Sequence, residues 1–371
     1  MTLRRIPFTS TRPHEDAAAI RDAIDRVVAS GWFILGPEVE AFEAAFAAAS
    51  GAAHAVGVAS GTDAIALVLR ALGVGHGDEV ITTSLSAAFT ALAIMSTGAR
   101  PIFVDVDDAR LTLDPAGVAG AVTARTRAIV PVHLYGQPAD MTGLAAVASR
   151  HHLALVEDCC QAHLATAGGA PVGTIGVAGA FSFYPTKNLA ALGDGGAVVT
   201  NDGALADRIR RLRNGGQTTR DHFELPGINS RLDEIQAAIL RARLPLLADR
   251  NARRRMLAAT YRRRLASSLV RAVPEVDAGH VYHLFVVRSR QRAALQAHLL
   301  AAGIETLVHY PVPVTRQPAL GSMHPVDCPL AATACNEVLS LPLHPAMALE
   351  DVEQVSEEVC RFPEDMTPCG R

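Results

Sequence analysis

Lysine is almost absent from this chain. Of 34 basic side chains in 371 residues, 33 are arginine and one, Lys187, is lysine. The composition has drifted to arginine wherever any cation serves. A guanidinium stays charged, whereas an amine can deprotonate and form a Schiff base. A single retained lysine is therefore a candidate for chemistry that arginine cannot do, although the count alone is also compatible with chance. Surplus charge is missing as well. The 37 acidic residues against 34 basic ones leave a net charge of -3, which argues against nucleic acid as an obligate partner. The opening stretch MTLRRIPFTSTRPHED has no apolar segment of signal-peptide length. No uninterrupted apolar run approaches the ~18 residues a membrane span needs. The six cysteines (159, 160, 328, 335, 360 and 369) include no CxxC pair and no zinc-type spacing with histidine. What remains is a globular composition, 49% hydrophobic and 19% charged. It reads as a cytoplasmic protein with reduced thiols, no metal, no membrane and no nucleic-acid partner.

Helical and strand patterns alternate along much of the chain. Segments 14–30 and 38–50 have apolar residues at helical spacing and stop at Gly31 and Gly51, as helix ends favour. Short apolar runs follow at 54–60, 79–84, 101–106, 128–134, 153–158, 179–184 and 196–200, most of them separated by helical stretches. Strands of that kind are buried on both faces and predict a large, mainly parallel α/β/α sheet. From Ser230 the pattern predicts one long helix through Leu265, rich in arginine and alanine, and then a β-like segment at 280–289. The shift predicts two domains, a large one over 1–245 and a smaller C-terminal α/β domain over 246–371.

Three segments could carry chemistry. In VASGTDA (58–64) a strand meets Ser60-Gly61-Thr62 at a helix start. Free N–H groups, hydroxyls and the positive end of the helix dipole make such a turn a phosphate cradle, although an ordinary helix cap has the same look. In ALVEDCCQAH (154–163) an apolar strand runs into Glu157-Asp158. Ligands of open α/β sheets bind beyond the carboxyl ends of strands, so an acid there suits a partner that must stay cationic, such as a protonated ring nitrogen. Cys159 and Cys160 read as small buried packing residues. The third segment, FSFYPTKNLAALGDGGAVVTND (181–202), holds Lys187 on a polar turn, with Ser182 and Thr186 before it and Gly193, Gly195 and Gly196 after it. A phosphate grip, an acid for a ring nitrogen and an imine-competent lysine are together what pyridoxal phosphate needs.

These segments are similar to the DegT/DnrJ/EryC1/StrS family of sugar aminotransferases, among the fold-type I pyridoxal-phosphate enzymes. The likeness runs through GPEVEAFEAAFA (36–47), SGTDA (60–64), GDEVITT (77–83), VHLYGQPADM (132–141), EDCCQAH (157–163), FSFYPTKNL (181–189), GDGGAVVTND (193–202), GINSRLDEIQAAIL (227–240), HYPVP (309–313) and LSLPLHP (339–345). The resemblance implies that Lys187 bonds the cofactor aldehyde and shuttles the proton, and that Asp158 pairs with the pyridine nitrogen. Gln161 would lie near the ring hydroxyl. Ser60, Gly61, Thr62 and Ser182 would hold the phosphate, and Asn229 would reach the phosphate in the neighbouring subunit of a homodimer. It also implies an amino-acid donor, glutamate, and a nucleotide-linked keto-sugar acceptor. A keto-cyclitol acceptor, a sugar dehydratase and a non-catalytic ligand-binding regulator are the alternatives. Many relatives have a ring-stacking aromatic where this chain has Ala87, and Phe89 two residues on points elsewhere in a helix. The arginine run 241–264 reads as a solvated helix face ahead of a diphosphate grip, and His151-His152 as an exposed helix end.

Overall fold

The apolar runs become strands and the helically spaced stretches become helices in the computed structural model, which describes residues 5–320 and 327–363; Cys369 and the first four residues fall outside them. The strands β1 (His54–Val58), β2 (Glu79–Thr83), β3 (Arg100–Val104), β4 (Thr126–Val130) and β5 (Ala154–Asp158) come first. The two-residue strands β6 (Thr166–Ala167) and β7 (Ala170–Pro171) pair only with each other, and β8 (Ala178–Ser182) and β9 (Gly196–Thr200) follow. One seven-stranded sheet has the order β1-β9-β8-β5-β4-β2-β3. It is parallel throughout except at β9, which runs antiparallel to both neighbours. No helix separates β8 from β9, and a parallel pairing would need such a crossover. Both faces are buried, as expected. In β1, Val56 and Val58 enter one apolar core while Ala55 enters another.

Helix α1 (Ala17–Ser30) packs against the later helix at Glu234–Arg243, while α2 (Pro37–Ala49), α3 (Gly61–Ala71), α4 (Phe89–Ser96), α5 (Pro115–Ala121), α6 (Met141–His151) and α7 (Gly203–Leu212) cover this sheet. α1 stops at Gly31, whose φ of 67° is the left-handed conformation that closes a helix end. α6 ends at His151-His152, both exposed as expected. A small hairpin, β10 (Gln217–Thr219) with β11 (His222–Phe223), precedes α8 (Glu234–Arg243). The buried carboxylate of Glu234 caps α2 from a distance. It accepts from the amides of Gly36 (2.9 Å), Glu38 (2.9 Å) and Val39 (2.8 Å), which the helix itself leaves without partners.

The long helix expected from Ser230 to Leu265 is two helices. α8 stops at Arg243, a 3-10 turn occupies Leu244–Leu246, and α9 runs from Leu247 to Arg264. Pro245 has no N–H to give and crowds the preceding turn, so the α ladder cannot pass through it. Beyond α9 a second, antiparallel sheet pairs β12 (Arg271–Ala272), β13 (Phe285–Arg288) and β14 (Val338–Leu341). The strand expected at 280–289 is shorter because Tyr282 takes a φ of 45°, outside the extended range. Helices α10 (Arg292–Ala301), α11 (Pro329–Glu337) and α12 (Leu349–Arg361) complete this part, and Ile6 joins it through a bridge to Ile304. Among the described residues no helix is long and apolar enough to cross a membrane.

Candidate active site

Strand order places the three candidate segments side by side. β5 and β8 are parallel, so Asp158 and Ser182 finish at the same sheet edge. β9 is reversed, so its first residue, Gly196, pairs there with both Ser182 and Val58. The carboxyl edge thus gathers the turn after β1, the acid ending β5 and the lysine loop after β8, where open α/β sheets hold ligands.

The turn after β1 is built for close approach. A Cβ on Gly61 would stand 2.5 Å from Cys160 Sγ and 2.8 Å from Ser182 Cβ, so only glycine lets these chains touch. Ser60 Oγ accepts from the Asp63 amide at 3.1 Å, which makes Ser60 a true helix cap whose own O–H can still donate. Thr62 follows on the first turn, and Ser182 Oγ accepts from the Tyr184 amide at 3.3 Å. Ser230 braces the turn by accepting from the Ala59 amide (3.1 Å) and donating to Asp63 Oδ2 (2.7 Å). Gly61→Ala is expected to cost ~1–3 kcal/mol by overpacking, read as a lower midpoint of urea unfolding.

Asp158 is held from every side. Its backbone bonds Pro131 and His133 across the sheet edge. Its Oδ1 accepts from the Cys160 amide at 3.1 Å and its Oδ2 from the Thr90 hydroxyl at 2.7 Å. A carboxylate has about four acceptor positions, so these two donors leave capacity for a cation. Glu157, adjacent in sequence, points the other way. It accepts from the amides of Gly173 (2.8 Å), Ile175 (2.9 Å) and Gly176 (2.7 Å) and meets His133 Nε2 at 3.0 Å. His133, Glu157 and Cys159 lie close enough together to suggest a metal. The Ala139 amide donates to His133 Nδ1 at 3.0 Å, so Nε2 carries the ring proton and neither nitrogen is free to ligate. Glu157 is a structural brace.

Lys187 follows β8 on a turn closed by its own amide, which donates to the Tyr184 carbonyl at 2.8 Å. The next residue is fixed: Asn188 Nδ2 donates to Asn251 Oδ1 (2.9 Å) and the Val281 carbonyl (3.1 Å), while its Oδ1 meets His283 Nδ1 (3.2 Å). Burial lowers the Lys187 pKa from the usual lysine value and outweighs the opposing pull of Cys160 and Asp158. Three histidines feel the lysine's charge and are kept neutral, chiefly by burial. His163 is lowered to about 3 and His309 to about 4, and His283 falls well below its ordinary value. Burial raises the Cys160 thiol well above the ordinary value, with Asp158 adding to it. The anion that acts on Lys187 is therefore Asp158, and a desolvated amine in such surroundings can shed its proton.

Gln161 is buried with both ends engaged. Its Oε1 accepts from the Tyr135 amide at 2.7 Å, and its Nε2 donates to the Tyr310 hydroxyl at 3.0 Å, bringing the HYPVP segment over the sheet edge. Asn229 differs: it is exposed, on the loop beside Ser230, and meets Asn214 through the backbone. Ala87 is half-buried and Phe89 is 63% exposed at the start of α4, so within this chain Phe89 covers nothing. Cys159 is buried as expected, and Cys160 is half-buried with its sulfur packed against the Gly61 turn.

The expectation of a solvated arginine face is corrected in part. Arg241, Arg255, Arg263 and Arg264 are exposed, but Arg243 and Arg254 are buried. Arg243 pairs with Asp16 at 2.8 Å and donates to the Ala190 carbonyl at 2.6 Å, behind the lysine loop. Arg254 donates to the carbonyls of Tyr282, His283 and Leu343. Its place could have been read from the sequence, because Leu247, Asn251, Arg254, Ala258 and Tyr261 lie on one helical face and all are buried. His163, His283, His309 and Thr90 were not singled out, and only His163 and His309 lie inside recognised motifs.

The sheet and this edge define a pyridoxal-phosphate-type aminotransferase of fold type I, the class of the solved structures this chain superposes on. The chain belongs to the DegT/DnrJ/EryC1/StrS aminotransferase family, whose family model matches residues 14–360. It is 51% identical over 340 residues to the erythromycin biosynthesis sensory transduction protein EryC1 of Saccharopolyspora erythraea, covering 91% of this chain and 93% of that one. It is 48% identical over 366 residues to a dTDP-3-amino-3,4,6-trideoxy-alpha-D-glucose transaminase of Streptomyces venezuelae, covering 97% of each. The crystal structure of S. venezuelae DesV in complex with a ketimine intermediate superposes with a TM-score of 0.93 at 47% identity, over 96% of this chain and 98% of that one.

Proposed function

We propose that this protein is a pyridoxal-phosphate-dependent aminotransferase that moves an amino group from an amino acid, glutamate, to the ketone of a nucleotide-linked sugar. One observation carries the reading: the only lysine of the chain, the carboxylate ending β5 and the N-terminus of α3 converge at one edge of the sheet. The donor set fits the cofactor. Ser60, Gly61 and Thr62 supply N–H groups and hydroxyls for a phosphate at a helix N-terminus, with Ser182 against them. Asp158 keeps lone pairs for a protonated ring nitrogen, and burial shifts Lys187 toward the neutral amine that an imine needs. The nucleotide-linked acceptor is supported by relatives such as the S. venezuelae transaminase, whose substrate class a 48% identical chain is well placed to share. A homodimer is proposed on the exposure of Asn229, which leaves that side chain available to a neighbouring subunit. A division into two domains near Pro245 is proposed on the two separate sheets.

When bound, pyridoxal phosphate supplies an electron sink for the pair left on the donor carbon as its proton departs. Lys187 Nζ takes that proton and holds it, which an amine of lowered pKa can do and a guanidinium cannot. Asp158 holds a cationic ring nitrogen through a carboxylate fixed by Thr90 and Cys160. Neutral His163, His283 and His309 leave the charge balance around the amine to Asp158. In the second half of the cycle Lys187 returns a proton to the former carbonyl carbon of the acceptor.

The test is a two-part assay. Purified protein is expected to be yellow with pyridoxal phosphate, to bleach on adding glutamate, and then to aminate a nucleotide-linked keto-sugar, with the product assigned by NMR. Protein that takes up no pyridoxal phosphate would sink the cofactor assignment. Amination of a keto-cyclitol but of no keto-sugar nucleotide would replace the acceptor.

A further inference from the structure

The segment Thr83–Thr97 joins β2 to the end of α4 and gives the site none of the ring-stacking aromatics that relatives place near Ala87. Its contribution is Thr90. This residue lies in the first turn of α4, is 4% exposed, and donates its hydroxyl to Asp158 Oδ2 at 2.7 Å across 68 positions of sequence. A buried threonine in a helix can satisfy its hydroxyl on the carbonyl one turn back, as Thr260 does here on Met256 at 3.2 Å. Thr90 spends its donor on a carboxylate instead.

We propose that Thr90 is a positioning residue for Asp158. The inference rests on the pyridoxal-phosphate reading of the site. The Asp158 backbone is already fixed by Pro131 and His133, so the freedom left to the carboxylate is rotation about its side-chain bonds. The Cys160 amide pins Oδ1 and Thr90 pins Oδ2, one from the loop beyond β5 and one from α4. With one donor on each oxygen, the carboxylate plane is set and the remaining lone pairs face a fixed direction. The consequence is a carboxylate preset, before any cofactor arrives, to receive a cationic nitrogen.

The experiment compares wild-type protein with Thr90→Val, which keeps the branched shape and removes the hydroxyl, and Thr90→Ser, which keeps the hydroxyl. Two quantities are read: the dissociation constant for pyridoxal phosphate, from absorbance titration of cofactor-free protein, and the single-turnover rate of bleaching by glutamate. Thr90→Val is expected to weaken cofactor binding and slow bleaching by about tenfold each, the effect of losing one charge-assisted hydrogen bond. Thr90→Ser is expected to stay within about twofold of wild type in both, since it keeps that bond. A purely structural role would make both variants lower the unfolding midpoint without this split. Equal values for Thr90→Val and wild type would overturn the inference, and so would losses in Thr90→Ser as large as in Thr90→Val. In either case wild-type protein that binds the cofactor leaves the functional reading intact. A wild type that binds no pyridoxal phosphate overturns the reading and this inference with it.

Discussion

Lys187→Arg is expected to abolish transamination, with a loss on the order of 10³ or more from removing the acid–base group. The substitution keeps a positive charge where Asp158 supplies the negative one, so the variant should fold and show an unchanged circular dichroism spectrum. The guanidinium cannot form an imine and does not give up its proton near neutral pH. The variant should therefore also lose the yellow absorbance of bound cofactor and any bleaching by glutamate. The rest of the chain makes the test unusually clean. No other lysine exists to substitute for this one, since all the remaining basic side chains are arginine. Wild-type rates in the arginine variant would refute the assignment of Lys187. Loss of rate accompanied by loss of the folded spectrum would attribute the effect to folding, and Lys187→Ala then serves as the second variant.

Asp158→Asn is expected to slow the glutamate half-reaction by on the order of 10²–10³, the usual scale for deleting one preorganised electrostatic partner. The amide is nearly the same size, so packing at the end of β5 is preserved. Its hydrogen-bonding is not. Cys160 N–H and the Thr90 hydroxyl both donate to the carboxylate, whereas an amide offers one acceptor oxygen and a donating NH₂. The Thr90 hydroxyl can rotate to accept from that NH₂, so the fold should tolerate the change. The negative charge is lost outright, and with it the group proposed to hold a ring nitrogen in its protonated form. Stopped-flow absorbance with glutamate measures the effect, and cofactor-free thermal unfolding provides the control. A half-reaction at the wild-type rate would show that Asp158 is not the ring partner.

Much of this site could be read along the chain because its parts are local. Helix caps, strand ends and glycine turns involve residues within a few positions of one another, so Ser60, Asp158 and Lys187 stood out before any contact was known. The parts that were missed are non-local. Thr90 matters only because β2 and β5 are both neighbours of β4, which brings the start of α4 to the end of β5. His283 comes from the segment just before β13, and nothing in its own neighbourhood marks it, whereas His309 sits in the HYPVP segment with no local sign that it would face the lysine. Arg243 and Arg254 look like every other arginine of the run, and burial alone separates them from Arg255 and Arg263. The break at Pro245 is a different kind of miss, because proline was visible and its effect on a helix is local.

The sequence by itself determined which elements form and which residue types are available for chemistry, because helical and strand periodicity and the lack of other lysines are properties of the chain. Only the tertiary structure decided that these residues meet. The reversal of β9 and the order of the sheet depend on hydrogen bonds between strands far apart in sequence, and those bonds fix which strand ends share an edge. The lowered pKa of Lys187 and the neutrality of its three histidines were likewise decided by folding, since burial is their first cause and a chain has no burial until it packs.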